Sequence, residues 1–237
     1  MAEASARMSV PVAPAWPGSP PGYGTPLAHE FFARDTLVVA EALLGCLLVS
    51  RAGGTITAGR IVETEAYLGS DDPGSHASTR GVTPRNRVMF GPPGHTYVYF
   101  TYGNHHMLNL VAEHDGVAGG VLIRAIEPVL GADEMERRRT GRSGVELTNG
   151  PGKLAAALGL DLSDNAARLG EGAVAVYAGG LRPGERMGRS GRVGLSAGYE
   201  LELRRYIEGN AYVSKGRTGP PRTAGRRSAE DRQRSPQ

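Results

Sequence analysis

RIVETEAYLGSDDPGSHASTRGVTPRNRVMFGPPGHTYVYFTYGNHHMLN, residues 60–109, is the stretch on which both the fold and the site turn. Its opening segment, 61–68, has the β-branched content and two-residue spacing of a strand. Glu63, Glu65 and Tyr67 then share one face while Val62, Ala66 and Leu68 take the other. An acid and an aromatic pointing into the same space suit a site that grips a flat, uncharged group by stacking while water is activated beside it.

Upstream, Asp35 is placed to cap a short helix reaching Leu44, with Gly45 at its C-terminal end. A strand at 46–51, the turn Ala52-Gly53-Gly54 and a strand at 55–68 form a hairpin. Downstream, strands are expected at 97–102, ended by Gly103-Asn104, and at 121–126, 173–177, 191–196 and 201–214. A charged helix is expected at 133–139, and a second at 151–158 that starts on Pro151 and stops before Gly159. Neither a repeat nor a regular β-α-β alternation appears. The expected architecture is therefore α+β: one domain built on a mostly antiparallel sheet or partly open barrel, with peripheral helices.

A chain of 237 residues holds one sizeable domain. Nine tyrosines against four phenylalanines and one tryptophan favour rings with a polar handle, and four of the nine fall between Tyr67 and Tyr102. The single cysteine, Cys46, excludes an internal disulfide framework and a multi-cysteine metal centre, and fits a reducing, cytoplasmic setting. Prolines interrupt the first 25 residues, where no apolar run of signal-peptide length occurs. They are expected to be a disordered extension, with neither export nor a membrane span, and Met8 is an alternative start.

Charge is unevenly distributed. Residues 215–237 carry seven Lys/Arg against Glu230 and Asp231, a local net of +5, and the first 25 residues are balanced. With +3 for the whole chain, the body at 26–214 is left at −2. Global basicity is thus no sign that the body binds nucleic acid. The tail is read as a disordered basic end that is either simply solvated or a salt-sensitive tether for DNA.

Each candidate residue also has an ordinary reading. A strand glutamate such as Glu65 most often faces solvent, and His76 sits in a polar loop of the kind that is usually surface. His105 and His106 are adjacent and point to opposite faces of a strand, which makes a shared metal improbable. Arg124 interrupts the apolar run VLIRAIEPV, and a charge there needs a partner, for which Glu65 is the obvious candidate. Arg85 and Arg87 flank Asn86 in a turn suited to clasping a phosphate. Lys153 lies at a helix N-terminus suited to an anion, without Walker spacing.

These residues bottom out at a β-rich hydrolase or a binding protein for a flat polar ligand. RIVETEAYLG, TPRNRVMF, YVYFTYGNHHMLN, VLIRAIEP and GPGKLAAALGL, in this order, take the reading further, because together they closely resemble the alkyladenine (3-methyladenine) DNA glycosylase family over residues 26–214. The resemblance implies base-excision repair: a monofunctional enzyme that flips an alkylated or deaminated purine out of duplex DNA and hydrolyses its N-glycosidic bond. By the same resemblance Glu65 is the general base for the attacking water and Arg124 its neighbour. Tyr67, Tyr99 and His76 hold the flipped base, Asn109 crowds the 2-amino group of guanine, and Tyr102 wedges into the duplex. Arg85, Arg87 and Lys153 are matched to DNA-backbone contacts. No metal or cofactor is expected, the partner is double-stranded DNA carrying a damaged purine, and a monomer in the cytoplasm at the nucleoid suffices.

Two rival classes are distinguishable. A non-catalytic nucleic-acid-binding module would make Glu65 dispensable, and a nucleoside hydrolase would have no use for Tyr102 or for Arg85 and Arg87. Because the excess positive charge lies at the C-terminus, deleting residues 215–237 is expected to flatten the slope of log Kd for DNA against log salt. An unchanged slope would make the tail a merely solvated end.

Overall fold

The computed structural model describes residues 23–78, 81–101, 103–216 and 218–219. Its first elements are α1, His29–Phe32, and α2, Thr36–Ala42. As expected, Asp35 caps α2, its carboxylate accepting from the Leu37 and Val38 amides at 2.9 and 3.1 Å. These are two of the donors that a helix start leaves unpaired. Strand β1, Leu47–Ser50, and β2, Thr57–Tyr67, form the expected hairpin across Ala52–Gly54. A second hairpin joins β3, Thr96–Thr101, to β4, His105–Val111, and β5, Gly120–Leu130, returns beside β2. Helices α3, Ala132–Arg138, and α4, Pro151–Leu158, follow, then short strands β6, Val174–Tyr177, β7, Met187–Ser190, and β8, Arg204–Ile207. Helix α4 matches its expected limits and ends on Gly159 at φ +73°.

Every strand pairing among the described residues is antiparallel, in the order β3-β4-β5-β2-β1-β6, with β8 pairing β2 and β7 pairing β8. Strand β2 is the axis of the sheet. One edge pairs with β5 along its length, and the other edge pairs first with β1 and then, at Glu63, Thr64 and Glu65, with β8. A strand flanked by two successive neighbours curls the sheet into a half-barrel, so the fold is the expected α+β single domain.

Strict alternation along the strands gives the sheet two different faces. Ala66, Val98, Leu108, Leu110, Val121 and Ile123 turn towards Val39 and Leu43 of the α2 region and Leu154 and Leu158 of α4, forming the main core. Tyr67, Tyr97, Tyr99, Met107, Asn109, Leu122 and Arg124, on the intervening positions, line a cavity.

Two expected strands are corrected. Residues 191–196 form a loop, and the strand lies just before them at β7. At Gly191 a Cβ would stand 1.9 Å from the Tyr199 carbonyl oxygen, so the chain folds back on itself here and keeps isolated bridges at Val193 in place of a strand. The long strand expected at 201–214 is confined to β8, because the chain turns at Gly209, φ +73°, and loops back into the sheet.

Gly45 ends the α2 region at φ +85°, and a Cβ there would stand 2.0 Å from the Gly180 carbonyl oxygen. Gly45→Ala is expected to cost about 2–4 kcal/mol through backbone strain and overpacking. Urea denaturation measures this, and a wild-type midpoint would contradict it.

Candidate active site

Strands β2 and β5 slip in register at the centre of the sheet. Ile61 faces Ile126, Glu63 faces Ala125 and Thr64 faces Ile123, which leaves Val62 and then Arg124 as the extra residue of a bulge. Bulges re-aim side chains. Here Arg124 reaches two carboxylates, donating from Nε to Glu63 Oε1 at 2.7 Å and from Nη1 to Glu65 Oε2 at 3.1 Å. Both glutamates are fully buried.

Glu63 also accepts from Arg204 Nε at 2.7 Å and from the Ser214 amide and hydroxyl at 2.6 and 2.8 Å. Glu65 also accepts from the Tyr67 hydroxyl at 2.9 Å and the Val193 amide at 2.8 Å. Two carboxylates and two guanidiniums thus balance inside the protein, as buried charges must. Burial pushes the Glu63 carboxyl up, but Arg124 and Arg204, helped by the Ser214 amide, outweigh it and hold it below the ordinary value. Burial would lower the Arg124 guanidinium, yet Glu65 and Glu63 raise it further. Burial, and then the Glu65 carboxylate, push the Tyr67 phenol well above its usual range, so it stays protonated and donates to Glu65.

A cavity of about 260 Å³ opens beside this cluster and is lined by Tyr67, His76, Tyr99, Asn109 and Arg124 among others. Five of the sequence-predicted residues therefore meet at one place, with Glu65 bonded directly to two of them. His76 Nδ1 lies 3.0 Å from the Tyr97 hydroxyl, and its ring stands edge-on to Tyr99 at 4.7 Å. Burial and then the Arg85 guanidinium lower the His76 imidazole, which favours its neutral form. Asn109 donates to the Tyr97 carbonyl at 3.1 Å.

The supports of the cavity are residues that sequence reasoning missed. Arg192 is fully buried and donates to both oxygens of Asp72 at 2.6 and 2.5 Å and to the Ala66 and Gly198 carbonyls at 3.0 Å. Asp72 accepts in turn from the Leu68 and Gly74 amides at 3.0 and 2.9 Å. The guanidinium lies 4.7 Å from the Tyr67 ring centroid. This pair ties the end of β2, the loop carrying His76 and the loop carrying Val193 into one unit. The ion pairs of Glu63 and Arg204 were also unforeseen, although an acid within IVETEAYL was a signal that some buried cation would be needed.

The predicted DNA-contact residues are placed less uniformly. Tyr102 lies outside the described residues, as does the tail from residue 220. Arg85 and Arg87 are exposed, and the Arg85 guanidinium lies 5.2 Å from the Tyr99 ring centroid. Asn86 between them is buried and donates to the His76 and Gly81 carbonyls at 2.8 and 2.9 Å, so it pins the turn and faces inward. Lys153 is held by Glu146 at 2.8 Å and Asn149 at 2.7 Å.

A buried acid coupled to an aromatic-lined cavity is the setting in which residues 30–211 match the family model for methylpurine-DNA glycosylase. The chain belongs to this family. It is 46% identical over 197 residues to a Chlorobaculum tepidum protein, covering 82% of this chain and 93% of the relative. It is 48% identical to relatives from Prosthecochloris aestuarii (81% and 93% covered) and Methanoculleus marisnigri (80% and 98% covered). All three carry the words 3-methyladenine DNA glycosylase in their names. Membership makes the chain a DNA glycosylase, a hydrolase of DNA repair that processes alkylated purines. No helix among the described residues is long and apolar enough to cross a membrane.

Glu63→Gln would leave the buried Arg204 without its carboxylate and Arg124 with Glu65 alone, and is expected to cost about 3–5 kcal/mol in urea denaturation at pH 7. A carboxyl held below its ordinary value stabilises fully above that value and loses the effect as the pH falls through its folded pKa. The gap between variant and wild type should therefore close in acid. Equal stability at neutral pH would contradict the account.

Proposed function

We propose that the cavity receives an alkylated purine flipped out of duplex DNA, and that Glu65 orients and deprotonates the water that displaces the base from C1′ of its sugar. The observation carrying this reading is that Glu65, Arg124 and Tyr67 form one hydrogen-bonded unit, two members of which line the cavity. N-glycosidic hydrolysis needs a general base and a negative charge near an oxocarbenium-like transition state, and one carboxylate supplies both. Arg124 and the Tyr67 hydroxyl fix the carboxylate's orientation, so little reorganisation accompanies the reaction.

The faces of Tyr67 and Tyr99, with His76 beside them, grip the base by stacking. Cationic lesions such as 3-methyladenine and 7-methylguanine gain a cation–π contribution of about 0.5–2 kcal/mol. Arg192 and Arg85 already lie over these two rings, which leaves less of that attraction for a cationic base and narrows the gap to neutral lesions. Cationic bases depart without protonation, whereas hypoxanthine and ethenoadenine require an acid. Asn109 crowds the 2-amino group of guanine. The described residues lining the cavity include no lysine, which favours direct hydrolysis over a Schiff base and strand cleavage. Tyr102 serves as the wedge that fills the vacated stack, and Arg85, Arg87 and Lys153 steady the backbone. One copy of the chain suffices, acting on nucleoid DNA in the cytoplasm.

Glu65→Gln should lower single-turnover release of 7-methylguanine from duplex DNA by roughly 10²–10⁴-fold while leaving binding to the damaged duplex nearly intact. Binding lost together with release would make Glu65 a structural residue.

A further inference from the structure

We infer that Ser214, Gly216, Thr218 and Gly219 form a positioning strap of the active site and are not the first residues of a free tail, an inference that rests on the glycosylase reading above. They lie beyond residue 211, where the family match ends. Ser214 is bolted into the charge cluster. Its amide and hydroxyl donate to Glu63 at 2.6 and 2.8 Å, its hydroxyl accepts from Arg124 Nη2 at 3.1 Å and its carbonyl accepts from Arg204 at 3.3 Å. From that fixed start the chain runs along the loop at 191–194.

Gly216 packs against the Val193 side chain so closely that a Cβ would stand 2.3 Å from Val193 Cγ1. Thr218 donates from its hydroxyl to the Gly191 carbonyl at 3.1 Å, and its methyl occupies the space where a Gly191 Cβ would lie. Val193 itself makes β-bridges to Thr218 and Gly219. Val193 is the residue whose amide donates to Glu65 at 2.8 Å and which lines the cavity with Gly194 and Leu195.

The 191–198 loop contains Gly194 and Gly198 at φ +75° and +68°, and glycines leave a loop conformationally free. On one side Arg192 anchors it to Asp72. On the other side the strap holds it, and through it the donor that aims the Glu65 carboxylate. A catalytic group must sit within about 0.5 Å of its productive position, so slack in this loop reaches the chemistry without touching DNA. A deletion that spares the strap therefore begins no earlier than residue 220, five residues later than the charge pattern suggests.

The test uses the full-length chain with Gly216→Val, Thr218→Ala and Thr218→Ser. Three quantities are measured: single-turnover base release at saturating enzyme, Kd for a duplex containing an uncleavable tetrahydrofuran abasic analogue, and the thermal midpoint. Thr218→Ala should slow release by roughly 10–100-fold with Kd and midpoint at wild-type values, Gly216→Val should slow it at least as far with Kd unchanged and a lowered midpoint, and Thr218→Ser should restore most of the rate. Wild-type rates in the first two variants, a Thr218→Ala rate that falls only in step with binding or midpoint, or a serine variant as slow as the alanine would each overturn the strap while leaving the glycosylase reading in place. A wild-type chain that releases no base would overturn that reading and the strap with it.

Discussion

The position of Arg124 between Glu63 and Glu65 is the constraint around which the rest of the structure is arranged. A lone ion inside a protein is costly enough that it must be matched by a partner and by hydrogen bonds to its remaining donors or acceptors. Register slips on both strands accompany the contact, with Val62 and Arg124 the extra residues. Arg204 from β8 and Ser214 complete the neutralisation, which explains why a short strand late in the chain pairs with the centre of the sheet.

From that cluster the chemistry extends outwards along one face of β2. Tyr67 is bonded to Glu65 at its hydroxyl and backed by Arg192 on its ring, so a residue that would hold the base is mechanically linked to the one that would activate water. The Arg192–Asp72 pair joins the loops bearing His76 and Val193 to the end of β2. The opposite face is apolar and buried under α2 and α4, giving loop-borne groups a rigid base. Within this arrangement the rings of Tyr67 and Tyr99 and the His76 imidazole line one small cavity, and the Glu65 carboxylate lies buried behind Tyr67 and Arg124.

Much of this was legible in the chain. Two-residue spacing separated Glu63, Glu65 and Tyr67 from the core side chains of β2, Asp35 marked the start of α2, and the proline-glycine asymmetry bounded α4. These are local signals, fixed by backbone geometry and caps. What escaped was long-range. Nothing near Arg192 announces that it is buried against Asp72, 120 residues away, and nothing near Ser214 points to Glu63. The 191–196 segment has strand-like composition, yet close packing against Tyr199 turns it into a loop. Strand β4 was foreseen no further than its two histidines, although HMLNLV carries the alternation that puts Met107 and Asn109 on the cavity and Leu108 and Leu110 in the core. For the site, spacing brought an acid and an aromatic together and a charge in an apolar run marked Arg124 as the partner of Glu65, as the structure has it, while their matched roles came from resemblance and the Val193 amide that also holds the acid came from the fold.

The most direct test of the central claim is to follow the oxygen. The protein is incubated in ¹⁸O-water with a duplex containing one 3-methyladenine, and the released base and the DNA strand are analysed by mass spectrometry after a single turnover. The account predicts free 3-methyladenine, an uncut strand and one ¹⁸O at C1′ of the new abasic site. Strand scission, a borohydride-trapped protein–DNA adduct, or absence of base release would contradict it.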